Sequence, residues 1–133
     1  MIRFTIPGDP VPQPRPRVST QGGFARAYVP ASHAIHAYRQ EVQLRAKAAG
    51  VIATSDPLSV EIVATFARPK SHVTKKGIRA GAPQLPRPDV DNIAKGILDA
   101  LGDLWGNDSC VAALSVAKEY GTEGRTSVTI DAF

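Results

Sequence analysis

The chain has 133 residues, with a net charge of +4 and a pI near 9.5. That length suits one domain spanning 1–133 that folds without disulfides or a structural metal, and 43% apolar with 21% charged residues excludes wholesale disorder. The lone Cys110 excludes an intrachain disulfide, the three histidines (His33, His36, His72) have no CxxC partner for zinc, and no segment approaches a membrane span or a signal peptide. A cytoplasmic protein with no membrane partner is the expectation.

Residues 2–6 alternate and predict a short strand ended by Pro7-Gly8. Residues 9–30 hold five of the eleven prolines and a Gly22-Gly23 pair, which predicts a loop. Ser32 is placed to cap a helix from 33 to 48, with Ile35, Tyr38, Val42 and Ala46 on its apolar side and Gly50 at its end. Residues 58–67 alternate as a strand. Residues 68–88, with Gly77, Gly81, Pro83, Pro86 and Pro88, predict a long irregular loop. A second helix is expected from 90 to 102, broken by Gly102 and Gly106, and then strands at 111–120 and 125–132 joined by a tight turn at 121–124. The class is α+β: a single mixed β-sheet with two main helices in β-α-β-α-β-β order. The intervening helix suggests a parallel pair, and the tight turn an antiparallel final pair.

Charge is segregated along the chain. No acid lies between Asp9 and Glu41, where Arg15, Arg17, Arg26 and Arg39 fall, and none lies between Glu61 and Asp89, where Arg68, Lys70, Lys75, Lys76, Arg79 and Arg87 fall. Five of the twelve acids crowd between Asp89 and Asp108. Two basic stretches suggest a polyanionic partner, with solubility as the alternative reading.

The acidic cluster sits in RPDVDNIAKGILDALGDLWGNDS, residues 87–109. On a helical wheel Asp91, Lys95 and Asp99 lie opposite Ile93, Ile97 and Leu101. Asp89 and Asp91, two apart, share a face if the segment is extended. Two such carboxylates and a third from the loop at Asp108 suit magnesium, if that loop turns back toward the helix start. Lys95 stands where it can hold a phosphate or steady charge on a leaving oxygen. Read locally, the same residues also serve as helix caps, an Asp91–Lys95 surface pair and turn chemistry at Asp108-Ser109.

The string RPDVDNIAKGILDAL followed by LWGNDS resembles the signature of the RusA family of Holliday junction resolvases, and IPGDPVPQPRPRV with AYVP is similar to that family's opening stretch. The resemblance implies metal-binding acids at Asp89, Asp91 and Asp108, an essential lysine at Lys95, and Asn92 orienting the acidic segment by hydrogen bonding. It departs at Asn107, where an acid is common. It further implies a phage-type homodimeric endodeoxyribonuclease, dependent on Mg2+ with Mn2+ as a substitute, which resolves four-way DNA junctions by paired nicking in recombination and repair. Arg15, Arg17, Arg26, Arg68, Lys70, Lys75, Lys76, Arg79 and Arg87 would then line the DNA path. Phe24 and Tyr28 are expected to pack their loop against the body, with stacking at an opened junction as the alternative. A nuclease of flaps or forks, and a non-catalytic nucleic-acid-binding module, are the rival readings.

Overall fold

The computed structural model describes residues 1–133. In chain order the elements are β1 (Ile2–Pro7), β2 (Arg17–Ser19), β3 (Arg26–Tyr28), α1 (Ala34–Ala49), β4 (Leu58–Ala67), β5 (Val73–Thr74), β6 (Gly77–Ile78), α2 (Val90–Trp105), β7 (Val111–Gly121) and β8 (Arg125–Ala132). The alternating strands build one mixed sheet in the order β1-β8-β4-β7. β4 and β7 run parallel, connected through α2, whereas β8 is antiparallel to both β1 and β4. The fold is α+β. No helix is long and apolar enough to cross a membrane.

One face of the sheet carries Phe4, Ile6, Val60, Ile62, Ala64, Phe66, Val128 and Ile130, and all are buried. Two helical stripes cover it: Ile35, Tyr38, Val42 and Ala46 from α1, and Ile93, Ile97, Ala100, Leu101 and Trp105 from α2. Each side chain follows the period of its element, 2 in strands and 3.6 in helices. The buried Tyr38 hydroxyl hydrogen-bonds Thr126 Oγ1 across this interface; burial raises its pKa above the ordinary value.

Four expectations are corrected. Helix α1 is capped not by Ser32 but by His33, whose Nδ1 accepts from the Ile35 amide at 3.0 Å. Helix α2 runs through Gly102 to Trp105 and stops at Gly106, whose φ of 98° suits glycine alone. The two basic loops are partly ordered: β2 pairs with β3 and β5 with β6, each an antiparallel hairpin. Finally, the last two strands are not hydrogen-bonded neighbours, because β4 lies between them. Thr126, Val128 and Ile130 of β8 are fully or nearly buried and belong inside the sheet, whereas Lys118 and Tyr120 of β7 are half-buried and suit an edge. The turn at 121–124 therefore steps across the end of β4. The Arg68 amide bonds Gly121 O and the Gly8 amide bonds Gly124 O, both at 3.0 Å.

Candidate active site

The five acids between 89 and 108 divide into two groups. Asp99 is paired, with Lys95 Nζ at 3.4 Å and Arg39 Nη2 at 3.6 Å. Asp103 accepts from Gln43 Nε2 at 3.0 Å. The carboxylates of Asp89, Asp91 and Asp108 make no hydrogen bond and no ion pair, and all three residues are exposed. Asp89 occupies the N-cap position of α2, yet only its backbone oxygen is engaged, by the amides of Asn92 and Ile93. Capping therefore does not use its side chain. The local Asp91–Lys95 pair does not form either, since Lys95 turns to Asp99.

The N-terminal basic segment docks directly on this helix start. The Gln13 amide donates to Asn92 O at 2.9 Å, and a Cβ on Gly96 would stand 3.3 Å from Val11 O. Gly96 thus permits the close approach of the Pro-rich chain to α2. Asn92 ties the acidic segment through its main chain, and its side chain makes no hydrogen bond. Arg39 adds a second tie, from Asp99 to Gln13 Oε1 at 3.4 Å. From the dock, Arg15 leads into the β2–β3 hairpin, where Arg17, Arg26 and Tyr28 share one face by register. The expectation that Phe24 and Tyr28 pack against the body is corrected: they are 72% and 45% exposed.

On the other side, Lys118 of β7 donates from Nζ to Pro88 O at 2.9 Å. It braces the residue that precedes Asp89 and places a cation beside the acids. Sequence reasoning missed it, because its position depends on the parallel register that sets it against Ala64 of β4. Arg68, Lys70, Lys75, Lys76, Arg79 and Arg87 lie between β4 and α2; all are exposed except the half-buried Arg68. The guanidinium of Arg68 bonds Pro83 O and that of Arg79 bonds Ser71 O.

Asp108 is elsewhere. It opens a short 3-10 turn, Asp108–Cys110, capped by Asn107 Oδ1 accepting from the Ser109 amide at 3.0 Å. A carboxamide in place of an acid at 107 is thus a cap. A Cβ on Gly102 would lie 3.4 Å from Asp108 Cβ, so Asp108 rests on the last turns of α2 and lines a cavity of about 330 Å³ with Arg39, Asp99 and Asp103. The loop does not return to the helix start. Gly102 lies eleven residues beyond Asp91, roughly 16 Å along the axis, and no three His, Cys, Asp or Glu side chains of the chain converge on one point. Burial pushes the neighbouring Cys110 thiol pKa up, with Asp108 adding to the effect.

The α+β domain thus carries idle carboxylates at the start of α2 and two basic segments that each fold into a hairpin. The chain belongs to the RusA endodeoxyribonuclease family: the model described as Endodeoxyribonuclease RusA matches residues 7–131. It is also 35% identical over 136 residues to "Uncharacterized protein YqaN" of Bacillus subtilis (strain 168), across 97% of this chain and 94% of that protein. The family is one of nucleases.

Proposed function

We propose that the protein is a divalent-metal-dependent endodeoxyribonuclease that resolves four-way DNA junctions as a homodimer in recombination and repair. One observation carries this reading: of five clustered acids, the two with structural partners are Asp99 and Asp103, and the three left idle are Asp89, Asp91 and Asp108. Idle exposed carboxylates are hard oxygen donors of the type magnesium and manganese take. Asp89 and Asp91 would supply two of the ligands from one chain, with water and phosphate oxygens filling other positions.

Asp89 and Asp91 would hold the metal at the start of α2, where the helix dipole also favours a phosphate. A bound Mg2+ or Mn2+ supplies a Lewis acid for the phosphodiester and lowers the pKa of a bound water. Lys95 is 61% exposed and shares Asp99 with Arg39; by exchanging Asp99 for a phosphate oxygen it steadies charge on the leaving group. The Arg15–Arg26 and Arg68–Arg87 stretches hold the DNA backbone. Asp108 cannot join Asp91 within one chain, so it joins the site across a two-fold axis that sets two α2 helices antiparallel. A two-fold dimer also presents two equal sites to a four-way junction, whose symmetry is approximately two-fold.

The test is nicking of a mobile four-way junction beside flap, fork and linear duplex substrates, with Mg2+ and with EDTA. Paired metal-dependent nicks in the junction are expected. Metal-independent binding without nicking would leave only a binding module, and faster cutting of flaps or forks would reassign the substrate.

A further inference from the structure

At the end of β7, two residues beyond the Lys118 that bonds Pro88 O, lies a second cavity, of about 440 Å³, lined by Arg68, Val73, Ile78, Tyr120, Gly121 and Thr122. That volume is in the range of small-ligand sites. Two of its lining residues are in contact: the Arg68 guanidinium carbon lies over the Tyr120 ring, 4.3 Å from its centre, and His72 meets the same ring edge-on at 5.7 Å and 89°. The bond from Arg68 Nη1 to Pro83 O, 2.9 Å, holds the guanidinium in place. Val73 and Ile78 are cross-strand partners in the β5–β6 hairpin, so they share one of its faces, and both turn to the cavity while remaining 52% and 61% exposed. Two bare aliphatic side chains facing an arginine–tyrosine stack make a slot for something flat and apolar.

Charge and position indicate what fills it. The hairpin segment carries Lys70, Lys75, Lys76 and Arg79, with no acid between Glu61 and Asp89. A flat group attached to a phosphate chain meets both requirements. Tyr120 and Lys118 lie on the same side of β7, two residues and about 6.6 Å apart, and Lys118 is bonded to Pro88, next to Asp89. A strand whose phosphate lay at Asp89 and Asp91 would have the base of a neighbouring nucleotide on the Lys118–Tyr120 side of β7, toward the cavity. Bases unstacked from their neighbours are bound by stacking on aromatic rings and guanidinium planes with little regard to sequence.

We propose that this cavity receives the unstacked nucleobase next to the cleaved phosphate, between the Arg68–Tyr120 stack and Val73 with Ile78. The assignment rests on the nuclease reading above. It makes residues 68–78 a device that selects DNA with an opened strand at the cut, as at the centre of a branch.

The test uses the full-length protein and a four-way junction carrying 2-aminopurine at the position flanking the scissile phosphate, with Ca2+ to allow binding and Mg2+ to allow cleavage. Wild-type protein should change the probe's fluorescence on binding. The double variant V73S/I78S, altered only at exposed side chains, should lose that change and cleave roughly 5- to 100-fold more slowly. In a second arm with intact protein, an abasic site at the same position should slow cleavage to a similar degree. Normal nicking with an unchanged probe signal, an abasic junction cut at the full rate, or a variant equally weakened on plain duplex would overturn the proposal. A probe response without any nicking would instead contradict the nuclease reading while upholding a base-binding cavity.

Discussion

Asp91→Asn and Asp108→Asn proteins, each inactive alone, should restore one another's activity when combined in one dimer. Asp108 rests on Gly102, roughly 16 Å along α2 from Asp91, whereas magnesium holds its ligands at about 2.1 Å. No aspartate side chain spans that gap, so an ion that uses both residues must draw them from two chains. In a heterodimer one site then collects both substitutions and the other collects none. With random association, about half of the dimers are mixed and each has one intact site, which gives roughly a quarter of the wild-type number. The assay is first-strand nicking of a four-way junction by differently tagged variants, co-purified so that the heterodimer is verified. No nicking by a verified heterodimer would refute the shared site and return each site to a single chain.

Other outcomes follow from single contacts. Lys118→Met removes the charged hydrogen bond to Pro88 O and should lower kcat about 10-fold with little change in junction binding, since one half-exposed bond to a charged group contributes about 1.5 kcal/mol; Lys118→Arg should recover part of the loss, and an unchanged kcat would deny Lys118 its positioning role. Gly124→Ala would press a Cβ to 2.5 Å from Asp9 N and 2.7 Å from Asp9 Cα, so thermal unfolding should show a loss of about 1–3 kcal/mol. The raised pKa of Cys110 leaves less thiolate than usual at neutral pH, so iodoacetamide should label it slowly, with the rate still climbing above the ordinary thiol pKa; rapid labelling at pH 7 of folded protein would contradict its burial.

The sequence carries the helices and the two inner strands in plain form, because period 3.6 in Ile93, Ile97 and Leu101 and period 2 in Val60, Ile62 and Ala64 are set by burial on one side. The place of β8 was less legible. Gly121–Gly124 marks a turn, but which strand fills the slot beside β4 depends on the competition of whole strands for the interior. The short hairpins at 17–28 and 73–78 bury almost nothing and leave no periodic trace. At the site, Asp89, Asp91 and Lys95 stood out through their spacing, whereas the distance of Asp108 from them did not. The only local trace of its place was Gly102, a glycine inside a helix where another chain segment comes close. Lys118 and the Arg68–Tyr120 stack depend on strand register across long sequence separation and left no signal in the chain.

Whether the idle carboxylates, and not the partnered ones, serve the chemistry is tested by replacing each of Asp89, Asp91, Asp99, Asp103 and Asp108 in turn with asparagine and measuring Mg2+-dependent nicking of a four-way junction alongside binding. The variants at 89, 91 and 108 should bind the junction and fail to cut it, while those at 99 and 103 should still cut. Full cleavage by Asp91→Asn, or loss of cleavage only in the variants at 99 and 103, would contradict this division of the acids.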